Sequence, residues 1–277
     1  MDIKYYWINI DKSKDRALFM EEQFKLKNIN NQRISAITPN HLDAILEDKA
    51  PFDCGNPACI YNDHNDCKFE FATTCSHLNA IKAGYKSEAP YFIVCEDDIY
   101  FPFKLNYEKM IEVLPNDFDI VQLMVLDLKG NTYLNNECFK KRGELFTKFD
   151  CTKGFFSTGM YLVSRKGAKN LLNLFTNKKT LKYDFTEVKS LKQADFLLYM
   201  YVNTYTSTYP FCFPIQLFIS EIHPNHFYLH KQAIDKIIEI INESQLKNPF
   251  INDFYPLDTF LNHYKALLDN INKNNES

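Results

Sequence analysis

The sequence has little glycine and tryptophan, and it lacks a strong excess of either charge. Its 277 residues include seven glycines and one tryptophan, Trp7, and the formal net charge is −3. Binding to nucleic acid through phosphates needs a basic surface, which this charge balance does not provide. The short basic runs at 140–142 and 178–179 are typical of solvated faces. We therefore expect no nucleic-acid partner.

Long apolar runs are also missing. No stretch of about 20 apolar residues occurs, so no membrane span is expected, and the charged opening Met1-Asp2-Ile3-Lys4 does not resemble a secretory signal. We therefore expect a cytoplasmic protein, whose eight cysteines are thiols or metal ligands rather than disulfides. Cys75 and Cys95 fall within apolar patterns and are expected in the core.

What the sequence does contain is enough apolar mass for a sizeable core. Hydrophobic residues make up 45% and aromatic residues 15% of the chain. A strand over Tyr5 to Ile10, a helix capped by Ser13 and a strand over Arg33 to Ile37 form the order that begins a doubly wound α/β sheet. Further strands are predicted at 91–95, 118–125, 155–164 and, kinked by Pro214, 211–219, and helices at 70–85, 105–114, 165–175, 194–202, 233–241 and 257–271.

These elements predict a single Rossmann-type α/β domain, with a mostly parallel central sheet flanked by helices and a helical C-terminal tail. We expect the domain to span residues 1–224, with a cysteine-containing loop or insertion at 38–69. Residues 225–277 are expected to form a helical extension packed on it. The polar, charged segment 127–153 is expected to be a long surface excursion.

Three adjacent acidic residues, Glu96, Asp97 and Asp98, follow directly after an apolar, non-alternating segment. That segment indicates a strand covered on both faces in the middle of a parallel sheet. Ligands bind outside the carboxyl ends of such strands. Burying unpaired carboxylates is unfavourable, and Mn²⁺ or Mg²⁺ would offset that cost. The alternative is an acidic surface turn. The triplet alone does not decide between the two, and the preceding strand favours the site.

A second group of ligand-type residues lies in the 38–69 segment. It consists of Cys54, Cys59, His64 and Cys67. Four thiolate or imidazole ligands in a tetrahedron would make a structural zinc site. The spacing is looser than is usual for zinc, so free thiols in a variable loop remain the alternative.

Several segments, taken in order, carry a family resemblance. They are Tyr6-Trp7-Ile8-Asn9-Ile10-Asp11 with Arg16, Glu70-Phe71-Ala72 with Ser76-His77-Leu78-Asn79-Ala80-Ile81, Cys95-Glu96-Asp97-Asp98-Ile99, Phe118-Asp119-Ile120-Val121-Gln122-Leu123, and Gly159-Met160-Tyr161-Leu162-Val163-Ser164-Arg165-Lys166-Gly167-Ala168. Over roughly residues 4 to 222, the chain resembles glycosyltransferase family 25, the lipooligosaccharide and procollagen galactosyltransferase type.

The resemblance implies a GT-A-like fold and a transfer of galactose or glucose from a UDP-sugar to a hydroxyl of a glycan or protein acceptor. It implies Mn²⁺, with Mg²⁺ as the alternative, and inversion at the anomeric carbon. By the same resemblance, Asp97 and Asp98 are metal ligands and Glu96 contacts the donor. The other implied donor-binding residues are Asn9, Asp11, Arg16, Ser76 and His77.

Two further roles need residues from the later part of the chain. Inverting transfer requires a general base, for which Asp195 is the first candidate and Asp184 and Glu187 are alternatives. The structural alternative for Asp195 is an acidic residue that stabilises a helix N-terminus. A late histidine often completes the metal shell in GT-A enzymes, and His223 is the candidate here. The alternative for His223 is an exposed loop histidine.

Two other functions compete with an active transferase. A catalytically inactive module could keep the GT-A fold for binding, but the intact Glu96-Asp97-Asp98 motif argues against it. A metal-dependent nucleotidyl- or phosphotransferase normally brings a glycine-rich phosphate loop, which this glycine-poor sequence does not contain.

Overall fold

The computed structural model describes residues 2–47, 64–188, 193–215, 227–244 and 248–275. The strands are β1 (Tyr5–Asn9), β2 (Asn31–Ser35), β3 (Tyr91–Glu96), β4 (Ile99–Tyr100), β5 (Phe103–Leu105), β6 (Ile120–Gln122), β7 (Phe146–Lys148), β8 (Met160–Ser164), β9 (Thr204–Ser207), β10 (Phe213–Pro214) and β11 (Ile251–Phe254). Seven of them form one sheet in the order β2-β1-β3-β8-β6-β9-β7. β10 pairs with β4, and β11 pairs with β5.

The central sheet is mostly parallel, as predicted. β1 runs parallel to β2 and β3, and β6 runs parallel to β9. β8 is antiparallel to both β3 and β6, and β7 is antiparallel to β9, so five of the seven strands point the same way. β3 is central and its middle residues are buried, as expected. It was wrong to expect parallel strands on both sides of it, because one neighbour is β8.

The helices are α1 (Lys14–Lys27), α2 (Leu42–Ile45), α3 (His64–Lys86), α4 (Tyr107–Val113), α5 (Leu128–Tyr133), α6 (Arg165–Phe175), α7 (Ala194–Met200), α8 (Phe227–Ser244) and α9 (Leu257–Asn275). α6 shows how the sequence sets a boundary, because the Ser164 hydroxyl accepts a hydrogen bond from the Gly167 amide at 3.0 Å. Within the described residues, no helix has the length and apolar character needed to cross a membrane.

The sheet separates two hydrophobic clusters. Along β1, Tyr5 and Trp7 pack into one cluster while Tyr6 and Ile8 pack into the other, because successive side chains of a strand point to opposite faces. The first cluster also receives Ile237 from α8. The second contains residues of α3, α6 and α7. Cys75 and Cys95 are fully buried free thiols, as predicted for the core.

Two segments differ from the prediction. The segment 127–153 is not simply a surface excursion, because it contains α5, a π-helix at 134–141 and β7. Two of its polar residues satisfy backbone groups: the Asp127 carboxylate caps α5, and the buried Asn131 amide donates to the Val125 carbonyl at 2.7 Å. The segment 38–69 likewise contains α2 and the first six residues of α3, and its residues 48–63 lie outside the described ranges.

Candidate active site

A cleft of about 820 Å³ opens where β1 and β3 end. This is the carboxyl edge at which open sheets bind ligands. The cleft is lined by eight of the predicted site residues, namely Asn9, Arg16, Ser76, His77, Glu96, Asp97, Asp98 and Asp195. The fold therefore brings together side chains from β1, α1, α3, the end of β3 and α7.

Asp97 is buried and both of its carboxylate oxygens are engaged. The Asn9 amide donates to Oδ2 at 2.6 Å, and the Arg16 guanidinium lies 2.7 Å from Oδ1. The parallel register of β1 and β3 pairs Ile8 with Glu96, which brings the following residues, Asn9 and Asp97, side by side. Burial raises the pKa of Asp97, and the neighbouring Arg16 and Asn9 oppose that rise.

Asp98 is the less satisfied of the two aspartates. Its Oδ2 lies 3.3 Å from the same Arg16 nitrogen. Its Oδ1 is buried and has no hydrogen-bond partner within the described part of the chain. Burial and, second, the adjacent Glu96 raise the pKa of Asp98 to about 7, whereas Arg16 acts in the opposite direction. An orphan carboxylate oxygen in a cleft is a natural point for a cation to bind.

Glu96 contacts residues other than those that contact the two aspartates. Its Oε1 accepts a hydrogen bond from the Thr158 hydroxyl at 2.7 Å and lies 3.3 Å from the His77 Nε2. Burial alone would raise the pKa of Glu96, but the interactions with His77 and Thr158 outweigh it and the pKa is lowered. Behind Glu96, the His77 Nδ1 lies 2.9 Å from the Tyr161 hydroxyl. His77 lies at the edge of the cleft with no solvent-exposed surface, and its Nε2 faces Glu96.

Three other residues predicted to contact the donor have mainly internal partners. Asn9 is 1% exposed, and its Oδ1 accepts from Arg33 at 2.8 Å. The Ser76 hydroxyl is buried between the Ile37 amide and the Ala72 carbonyl. Asp11 is exposed and is not one of the residues that line the cleft. Hydrogen bonds from Arg33 at 2.6 Å and from Ser35 lower the pKa of Asp11.

One wall of the cleft was not predicted from the sequence. It includes Phe156 and Phe196, whose ring centroids are 5.4 Å apart, and Asp195 lies next to Phe196. Between Phe156 and Thr158, the backbone of Ser157 has a φ of +148°, a conformation that residues other than glycine rarely adopt. Its carbonyl accepts hydrogen bonds from Gln122 at 2.9 Å and Tyr199 at 2.8 Å, which hold this backbone in place.

No periodicity in the sequence marks this wall. The pattern at 155–164 indicated a strand throughout, whereas β8 begins only at Met160. The segment before it is an irregular loop whose residues reach the cleft because distant buried side chains fix its backbone. No signal in the sequence separates this loop from the strand predicted over 155–164.

The described residues do not supply a complete metal-binding shell. Across residues 2–47, 64–188, 193–215, 227–244 and 248–275, no group of three or more His, Cys, Asp and Glu side chains is arranged to hold a metal ion. His223 lies outside these ranges, as do Cys54 and Cys59 and the side chains of His64 and Cys67. Asp97 and Asp98 nevertheless fit a hard divalent cation, because they offer carboxylate oxygens and the Asp98 Oδ1 has no described partner.

Two solved structures show distant likenesses to this chain. HddC from Yersinia pseudotuberculosis, complexed with GMP-PN, is 14% identical with a TM-score of 0.35 and covers 86% of this chain and 99% of its own. Mouse xyloside xylosyltransferase 1, in its apo form, is 12% identical with a TM-score of 0.31 and covers 72% of this chain and 81% of its own. No curated protein matches the chain.

The sequence model of one family gives a direct assignment. It is described as glycosyltransferase family 25 (LPS biosynthesis protein), and it matches residues 2–187. The matched region holds the Asn9, Arg16 and Glu96-Asp97-Asp98 part of the cleft, whereas Asp195 lies beyond it. Because the match spans well over half of the 277 residues, the chain belongs to glycosyltransferase family 25.

Proposed function

We propose that this glycosyltransferase moves a hexose, galactose or glucose, from a UDP-sugar to an acceptor hydroxyl with inversion, in a Mn²⁺-dependent reaction. The observation that carries the proposal is the Asp97–Asp98 pair in the cleft, where the Asp98 Oδ1 has no hydrogen-bond partner among the described residues. Because the chain belongs to a family of glycosyltransferases, we interpret this pair as the ligands of a cation that acts on a sugar donor.

On the donor side, Asp97 and Asp98 would hold the cation. A bound Mn²⁺ supplies Lewis-acid stabilisation of the charge that grows on the leaving diphosphate. Lys12 and Arg16 also line the cleft and add positive charge near the N-terminus of α1, where anions are favoured. Glu96 is held by Thr158 and is available to accept hydrogen bonds from donor hydroxyls.

On the acceptor side, Asp195 is the proposed general base. In the inverting step, the acceptor oxygen forms a bond to the anomeric carbon while the bond from that carbon to UDP breaks. The acceptor proton passes to the Asp195 carboxylate. Asp195 lies in the cleft beside Phe196, so the acceptor would rest against the wall formed by Phe156 and Phe196. Aromatic rings are suitable surfaces for the apolar face of a sugar.

The test is a donor screen with UDP-galactose, UDP-glucose and UDP-GlcNAc in the presence of Mn²⁺, measuring release of UDP. We expect turnover of one of the two hexoses. The volume-matched substitution Asp98→Asn should lower kcat/KM by about 100-fold or more. Asp253→Asn, at an exposed site on β11 outside the cleft, is the matched control and should retain activity. Full turnover by Asp98→Asn would refute the assignment.

The same screen separates the proposed enzyme from an inactive binding module. A module would bind UDP in a Mn²⁺-dependent manner, as measured by isothermal titration calorimetry, but it would turn over none of the donors. A protein that neither binds UDP nor releases it from a donor would contradict both functions.

A further inference from the structure

A positive charge already lies between the two aspartates that would bind the metal. One nitrogen of Arg16, Nη1, is 2.7 Å from the Asp97 Oδ1 and 3.3 Å from the Asp98 Oδ2. Only 15% of the Arg16 side chain is exposed. We propose that Arg16 is a resident counter-cation of this acidic pair, which opposes binding of the metal until the donor diphosphate draws the guanidinium away. The inference rests on the proposed function, because it assumes a divalent metal and a UDP-sugar in this cleft.

The available oxygens make the competition specific. The Asp97 Oδ2 is held by the buried Asn9 amide at 2.6 Å, so Oδ1 is the oxygen left for a cation. That oxygen is the one on which Arg16 makes its shorter contact. A metal shared by Asp97 and Asp98 would therefore have to replace the guanidinium at Asp97. With Arg16 in place, the metal could use the orphan Oδ1 of Asp98 but would bind beside a like charge.

The cleft gives Arg16 another partner when the donor arrives. A guanidinium has five N–H donors in a planar fork and binds phosphate oxygens in a bidentate manner. Arg16 is the third residue of the 14-residue α1, and Lys12 and Ser13, just before that helix, also line the cleft. A diphosphate near this helix N-terminus would be favoured by the helix dipole. Its negative charge would compete with Asp97 and Asp98 for the guanidinium.

The consequence is a coupling between the two ligands. The nucleotide should strengthen metal binding, and by thermodynamic linkage the metal should strengthen nucleotide binding by the same factor. The proposal also predicts whether substitution of Arg16 strengthens or weakens metal binding. If Arg16 were only a structural or donor-binding residue, its removal would leave metal affinity unchanged or weaken it. If it is a resident counter-cation, its removal should strengthen binding of the metal in the absence of nucleotide.

The experiment measures binding of Mn²⁺ alone, from the paramagnetic resonance signal of free Mn²⁺, with no UDP present. We expect Arg16→Gln to bind Mn²⁺ about tenfold more tightly than the wild type, within the usual range of coupling between sites. Arg16→Lys keeps the positive charge and should bind Mn²⁺ less tightly than Arg16→Gln. Arg165→Gln, at the start of α6 and outside the cleft lining, is the control and should match the wild type. Unchanged or weaker Mn²⁺ binding by Arg16→Gln would overturn the proposal.

Two further measurements keep the proposal testable if Arg16→Gln is unstable. Mn²⁺ should raise the Tm of Arg16→Gln more than it raises the Tm of the wild type, because the variant has two carboxylates without their counter-cation. In the wild type, Mn²⁺ affinity should be higher with UDP than without it, and equal affinities would overturn the coupling. These measurements do not depend on turnover. If the wild type releases UDP from its donor but Mn²⁺ binding does not respond to UDP or to the Arg16 substitution, only this inference is refuted. If Mn²⁺ and UDP strengthen each other's binding but no donor is turned over, only the proposed function is refuted.

Discussion

Substitution of Asn9 tests which contacts hold Asp97 and Asp98 in place. Its side-chain amide joins the end of β1 to three neighbours: Nδ2 donates to the Asp97 Oδ2 at 2.6 Å and to the Ser13 carbonyl at 3.1 Å, and Oδ1 accepts from the Arg33 Nε at 2.8 Å. Asn9→Ala removes all of these hydrogen bonds at a position that is 1% exposed. The substitution should therefore destabilise the protein more than the loss of a surface amide would.

The magnitude follows from the partners. A hydrogen bond to a charged group contributes about 1.5–3 kcal/mol and a neutral one about 0.5–1.5 kcal/mol. The bond to the buried Asp97 counts in full, whereas Arg33 is partly exposed and keeps Asp11 as a partner, so its contribution is discounted. We expect a loss of about 3 kcal/mol in the free energy of unfolding. For a chain of this size, that corresponds to a decrease in Tm of about 6–10 °C.

The assay is urea denaturation followed by tryptophan fluorescence. Trp7 is the only tryptophan, is 1% exposed and lies two residues before Asn9 in β1, so its emission reports on this strand directly. Asn30→Ala, at an exposed position, is the matched control and should change stability by less than about 0.5 kcal/mol. A loss below about 1 kcal/mol in Asn9→Ala would show that the hydrogen bonds around Asp97 do not hold the site as we argue.

Three further substitutions test other contacts. Thr158→Val removes the 2.7 Å hydrogen bond to Glu96 and should lower kcat/KM for the UDP-sugar about tenfold in steady-state assays; an unchanged value would mean that Glu96 needs no such support. Asp195→Asn should lower kcat by about 10²–10⁴-fold while calorimetric UDP affinity stays the same, and near-normal kcat would exclude it as the base. Gly167→Ala should cost about 2 kcal/mol or more in urea denaturation, because the new Cβ would lie 2.3 Å from the Asp119 carbonyl oxygen; wild-type stability would contradict this.

Much of the fold follows from local sequence patterns. The apolar segments that became β1 and β3 bury nearly every residue, and the Ser164 cap marks the start of α6. Such features can be predicted from residues close together in the sequence, because strand and helix periodicity are local properties. β9 was not predicted, since Thr204–Ser207 has no apolar pattern and is a strand because β6 and β7 pair with it.

The sequence by itself determined that this is an α/β protein with acidic residues at the end of a buried strand, and its ordered motifs indicated the family. Only the tertiary structure decided what those residues contact. The Asn9–Asp97 and Thr158–Glu96 hydrogen bonds join residues 88 and 62 positions apart. Arg16 reaches both aspartates because α1 begins at the same sheet edge where β3 ends. Periodicity specifies which face of an element is buried, but the partners of a side chain depend on strand order and register, which arise when distant segments pack together.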